Sequence, residues 1–213
     1  HEFAHEWFAN KVTNKDWAHM WIQEGITTYS EALAFREMGG ERAYDSLIQR
    51  FKMNIRNIKP LVQGAEVNSA DTYTGDVYTK GAFFMHTLRY VIGDTIFFPT
   101  LKRLATDSLY TYHNFVTSDD VEKLFSSQSG MDLKPLFDFY LRTTKKIDFI
   151  IKQTGIGEYV IETRELPMPL PVEIITDSGL QRMIITQKPL KLKTGLPPVI
   201  DASGHYFKRV TWE

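Results

Sequence analysis

The spacing of apolar residues changes near Lys145, and this change constrains the fold more than any other feature of the chain. Upstream of it, apolar side chains recur at helical intervals. Four such runs stand out: Ile22, Ile26, Tyr29 and Leu33; Tyr44, Leu47, Ile48, Phe51 and Ile55; Val77, Gly81, Phe84, Leu88 and Val91; and Leu133, Leu136, Phe137, Tyr140 and Leu141. Positions three and four apart share one face of a helix, so each run predicts an amphipathic helix that must bury its stripe. Gly39-Gly40 ends the first, begun at Trp21, and Pro60 ends the second, which spans about 41–59. A helix over 94–109 is expected with Pro99 in or near its first turn, and Thr117-Ser118-Asp119-Asp120 has the pattern of a capping box before another. Downstream, six of the nine prolines fall between Pro167 and Pro198, which rules out long helices there. The runs at 159–163, 172–176 and 182–186 alternate, and Asp177-Ser178-Gly179 is a turn signal between two of them. Residues 205–212 add a further strand. The expectation is a mostly α-helical part over 1–145 followed by a small antiparallel β-sandwich over 146–213.

Within the helical part, His1-Glu2-Phe3-Ala4-His5 places two histidines one helical turn apart, where their rings can converge on one cation. Residues 1 to about 9 are expected to form that helix, with Phe3, Trp7 and Phe8 packing beneath it. A catalytic zinc commonly takes three protein ligands, and Glu24, on the next helix, is the candidate third if that helix returns antiparallel beside the first. Glu2 stands where a general base would, since zinc lowers the pKa of a bound water to roughly 7 and a nearby carboxylate can take its proton. Amide hydrolysis is the chemistry such parts perform. The alternative is that His1 and His5 are ordinary polar positions on an amphipathic helix. Glu31, two turns beyond Glu24, is either an outer carboxylate accepting the second N–H of a ligand histidine or a solvated helix residue. Tyr78, in the first turn of the helix that follows Gly75, is a candidate donor to an oxyanion, although it is one of ten tyrosines. His19, His86, His113 and the Phe83-Phe84 pair are expected to be structural. Lys188, Lys191, Lys193 and Arg209 are expected to form a solvated face.

Composition limits the alternatives. With 25 basic and 26 acidic residues, no net field favours nucleic acid or an anionic membrane. There is no cysteine, so histidine and carboxylate are the strong metal-binding side chains present. No apolar run approaches the length of a membrane span.

The stretch HEFAHEWFANKVTNKDWAHMWIQEGITTYSEAL, residues 1–33, has 18 residues between its second histidine and Glu24, and Tyr78-Thr79-Lys80-Gly81 follows at a distance. Together these resemble the zinc signature and the tyrosine motif of the gluzincin aminopeptidases, the family that includes aminopeptidase N and leukotriene-A hydrolase. The resemblance implies a thermolysin-like catalytic half-domain and one catalytic zinc held by His1, His5 and Glu24. It further implies Glu2 as general base, Tyr78 as transition-state stabiliser and Glu31 as the outer carboxylate. The family's Gly-x-Met-Glu-Asn segment, which grips the substrate amino group, would lie upstream of His1. The expected partners are therefore a peptide substrate and a preceding portion of the same enzyme. An aminopeptidase is the leading expectation, with an endopeptidase on the same site, or a non-catalytic binding fragment, as the alternatives.

Overall fold

A computed structural model describes all residues, 1–213, as two compact units, His1–Thr144 and Lys145–Glu213. In the first unit the longest element is α1 (Trp21–Asn54), bent where Gly40 adopts φ 74°. Only a glycine takes that backbone conformation without steric cost, so the sequence signal Gly39-Gly40 appears as a kink between two helical segments. The second segment stops at Asn54, short of the expected end. Ile55 turns extended, and the N–H groups of Arg56 and Asn57 donate to the two Asp76 carboxylate oxygens at 2.8 and 2.6 Å. A buried carboxylate with two backbone donors thus outcompetes continuation of the helix. Four further helices follow a short turn of helix, α2 (Ser69–Thr72): α3 (Gly75–Ile92), α4 (Asp94–Thr106), α5 (Ser118–Ser129) and α6 (Lys134–Arg142). Thr117 and Asp120 cap α5 reciprocally, as the sequence predicts. Pro99 lies inside α4, beyond the first turn where it was expected.

α1 and α3 cross at two glycines. A Cβ placed on Gly25 would come 2.8 Å from the Gly81 Cα, so the backbones are in direct contact. Trp21, Ile22, Ile26 and Tyr29 from α1 and Phe83, Phe84 and Leu88 from α3 are completely buried around this crossing. The rings of Trp21, Phe84 and Phe137 pack edge-on, with Phe84 and Phe137 centroids 4.8 Å apart. Lys80, next to Gly81, is itself buried; its ammonium donates to the Thr143 carbonyl at 2.8 Å, and burial pushes its pKa down to about 8. His19 and His86 are buried and hydrogen-bonded, to Ser118 and Tyr44 respectively.

Residues 1–9 depart from expectation. They form a 3-10 turn over Ala4–Glu6 within a coil whose bonds mix spacings: Ala4 and His5 N–H both donate to the His1 carbonyl, and Asn10 N–H reaches the His5 carbonyl. Phe8 is the packing residue, whereas Phe3 and Trp7 are 88% and 50% exposed. With one apolar anchor instead of a stripe, packing does not select a regular α-helix. A two-residue parallel ladder, β1 (Thr13–Asn14) with β2 (Phe115–Val116), ties the connector after this turn to the chain before α5.

The second unit contains two sheets. Strands β3 (Ile147–Gly155), β4 (Glu158–Arg164), β7 (Leu190–Lys193) and β9 (Lys208–Trp212) are ordered β7-β4-β3-β9; β5 (Leu170–Thr176), β6 (Gly179–Ile185) and β8 (Val199–Ile200) are ordered β6-β5-β8. Most pairs are antiparallel, but β9 runs parallel to β3, a departure from the all-antiparallel expectation. Arg209 on β9 grips Asp148 on β3 through two bonds of 3.0 and 2.7 Å. That pairing, together with the ion pair of Lys193 and Glu158, accounts for two of the basic residues of the expected solvated face.

Candidate metal centre

Glu24 sits in the first turn of α1, where the positive end of the helix dipole favours a carboxylate. The segment ahead of it is fixed by Asp16, whose side chain accepts the Ala18 N–H at 2.6 Å and caps a 3-10 turn over Trp17–His19. This return brings Glu24 back to the first turn of the chain. Its Oε2 lies 3.3 Å from His1 Nε2 and 3.5 Å from His5 Nε2. The ligand atoms of His1, His5 and Glu24 all fall within 4.8 Å of one another.

The far side of each imidazole is occupied. His1 Nδ1 bonds Glu31 Oε1 at 2.7 Å, and His5 Nδ1 donates to the Phe8 carbonyl at 3.0 Å, with Thr27 Oγ1 at 3.4 Å from the same nitrogen. A carbonyl accepts only, so His5 Nδ1 carries a proton, and in both rings Nε2 is the nitrogen turned to Glu24, His1 Nε2 lying within hydrogen-bond distance of its Oε2. Two ring nitrogens and a carboxylate oxygen therefore converge. The edges of a tetrahedron with bonds of about 2.0–2.1 Å are about 3.3–3.4 Å long, close to the two separations above. The donor set fits a small tetrahedral cation, and all three nitrogen and oxygen donors suit a borderline metal ion.

Tyr78 enters from α3, with its ring centroid 5.9 Å from that of His1. Its hydroxyl is hydrogen-bonded to the Tyr73 hydroxyl, and Tyr73 donates to Glu24 Oε1 at 2.8 Å. Burial raises the Tyr78 hydroxyl above the ordinary tyrosine range against the lowering effect of the Tyr73 bond, and the charges of Glu24 and Glu2 add to the rise. Tyr78 is accordingly a protonated donor at neutral pH. Glu2 is exposed, and its charge acts on the Tyr78 hydroxyl. Of the sequence-predicted site residues, the structure brings His1, His5, Glu24, Glu31 and Tyr78 together through direct contacts. Sequence reading missed Tyr73, Thr27 and the Phe8 carbonyl. Tyr73 carries no periodicity signal because it lies in the link between α2 and α3, and the other two act through groups that spacing does not reveal.

A helical scaffold bearing a convergent two-histidine, one-carboxylate centre defines a class of metal-site protein, and comparison with known proteins gives its family. The Peptidase family M1 domain matches residues 1–140, and the chain belongs to this family. It is 26% identical over 226 residues to Leucine aminopeptidase 2 of Ajellomyces capsulatus, covering 89% of this chain and 35% of that protein. It is likewise 26% identical over 172 residues to Aminopeptidase N of Caulobacter vibrioides, covering 76% and 18%. The chain thus spans about a third or less of the length of these relatives. Among solved structures, Legionella pneumophila aminopeptidase A in complex with aspartic acid shares the fold with a TM-score of 0.79 at 22% identity, over 100% of this chain and 26% of that one. The M1 zinc metallopeptidase from Deinococcus radiodurans matches with a TM-score of 0.57 at 25% identity, over 66% and 31%.

Proposed function

We propose that this chain carries the catalytic centre of a zinc-dependent aminopeptidase. The observation that carries the reading is the convergence of His1 Nε2, His5 Nε2 and Glu24 Oε2, with the opposite nitrogen of each ring already engaged. Bound by these three residues, zinc would acidify a water and polarise the scissile carbonyl. Glu31 and the Phe8 carbonyl keep each imidazole in the tautomer that presents Nε2. Glu2, an exposed carboxylate beside the centre, takes the proton of the attacking water and hands it to the leaving amine. Tyr78 donates a hydrogen bond from its hydroxyl to the oxygen on which negative charge develops. The exopeptidase part of the reading rests on the relatives, which are named aminopeptidases. From the resemblance of its motifs to the gluzincin aminopeptidases we read the helical unit as a thermolysin-like half and the two sheets of the second unit as a sandwich. Peptides with a free amino terminus are the proposed substrates.

The test compares Glu2→Gln with the wild type on an aminoacyl reporter and its N-acetylated counterpart, with zinc content measured in parallel. The wild type should cleave the free-amine substrate preferentially. The variant should lose at least about 100-fold in turnover, the lower end of what a positioned base contributes, while retaining its zinc. Retained turnover in the variant would overturn the role of Glu2. Equal cleavage of both substrates by the wild type would replace aminopeptidase with endopeptidase.

A further inference from the structure

Tyr73 touches both a candidate metal ligand and the candidate oxyanion donor through one hydroxyl. Its hydroxyl lies 2.8 Å from Glu24 Oε1 and is hydrogen-bonded to the Tyr78 hydroxyl. A phenol has one proton. That proton goes to Glu24 Oε1, so the Tyr73 oxygen can only accept from Tyr78, which gives up this bond when its O–H turns to the oxyanion. The bond also divides the labour of the Glu24 carboxylate: Oε1 is held by Tyr73, while Oε2 faces both histidines. A glutamate on a helix has three side-chain torsions, and fixing one oxygen from outside selects the rotamer that presents the other. Tyr73 is in turn held by an edge-on contact with Trp17, ring centroids 5.8 Å apart, and by the α2 turn, whose Ser69 carbonyl accepts its N–H at 2.8 Å.

We propose that Tyr73 is a positioning residue for the candidate metal ligand Glu24. It locks Glu24 in the geometry that binds the metal through one oxygen. This inference rests on the reading of His1, His5 and Glu24 as the zinc site. Outer partners of metal ligands commonly contribute 10–100-fold to metal affinity.

The experiment measures zinc affinity of the chain by chelator competition, with thermal unfolding of the metal-free protein as the control for folding. Tyr73→Phe keeps the ring against Trp17 and removes only the hydroxyl; Tyr73→Leu removes both. The expected result is a zinc dissociation constant raised about 10-fold or more in both variants, with the metal-free unfolding midpoint of Tyr73→Phe unchanged. Wild-type affinity in Tyr73→Phe would overturn the proposal and leave the zinc reading intact. A loss confined to Tyr73→Leu would also overturn it, since ring packing rather than the hydroxyl would then be the cause. Failure of the wild type itself to bind zinc would overturn both the proposal and the zinc reading beneath it.

Discussion

Each imidazole at this centre needs two partners, one for each nitrogen, and the fold provides the outer one from a different source each time. Glu31 serves His1 from α1, whereas His5 uses a backbone carbonyl only three residues ahead. Tyr78 brings a hydroxyl to the same locus from α3, with its ring beside that of His1. Tyr78→Phe should therefore lower kcat about 100- to 1000-fold with little change in KM, as expected when a donor acts mainly on the transition state. Steady-state kinetics on a peptide reporter checks this, and an effect confined to KM would contradict it. At this scale much of the site was legible in the sequence. The i, i+4 histidines, the glutamate 19 positions on and the carboxylate two turns later are all spacings, and spacing survives translation into geometry. Tyr73 was not legible, because a loop residue is placed by what surrounds it rather than by a period.

Among the elements, the crossing of α1 and α3 governs the site. Gly25 adjoins Glu24 and Gly81 follows Tyr78 by three positions, so the direct backbone contact of the two glycines sets how far the carboxylate stands from the tyrosine. A Cβ on Gly81 would meet the Gly25 Cα at 2.9 Å and the Trp21 Cβ at 3.5 Å, neither of which is the flexible end of a side chain. Overpacking of this kind costs about 1–3 kcal/mol, which outweighs the 0.5–1 kcal/mol that alanine gains over glycine in a helix. Gly81→Ala is expected to lower the thermal midpoint, and a midpoint unchanged or raised would contradict the close crossing. Gly81 was visible in sequence as a member of a helical stripe and Gly25 was not; that they face each other depends on the packing of residues 56 positions apart. The first nine residues teach the converse lesson. Their histidine spacing suggested an α-helix, but with Phe3 and Trp7 exposed no apolar stripe remains to select one, and a 3-10 turn brings the same two rings together with centroids 4.7 Å apart.

The whole molecule divides as its periodicity divides, with helices through Arg142 and strands from Ile147. Each unit has its own buried core, and no helix is long and apolar enough to cross a membrane. The three alternating runs all became strands, but β3 escaped sequence reading. Ile147, Asp148, Phe149, Ile150 and Ile151 are buried in succession, so β3 lacks the alternation of a half-exposed strand. Asp148 within that run is tolerated because Arg209 on β9 pairs with it through both carboxylate oxygens. At this scale the central claim is that one metal ion unites His1 and His5 of the first turn with Glu24 of α1. The most direct measurement is zinc content after dialysis against a weak chelator, for the wild type and for Glu24→Gln, whose amide keeps the side-chain shape but loses the charge. The account predicts one zinc per wild-type chain and its loss from the variant; stoichiometric zinc retained by Glu24→Gln would contradict it.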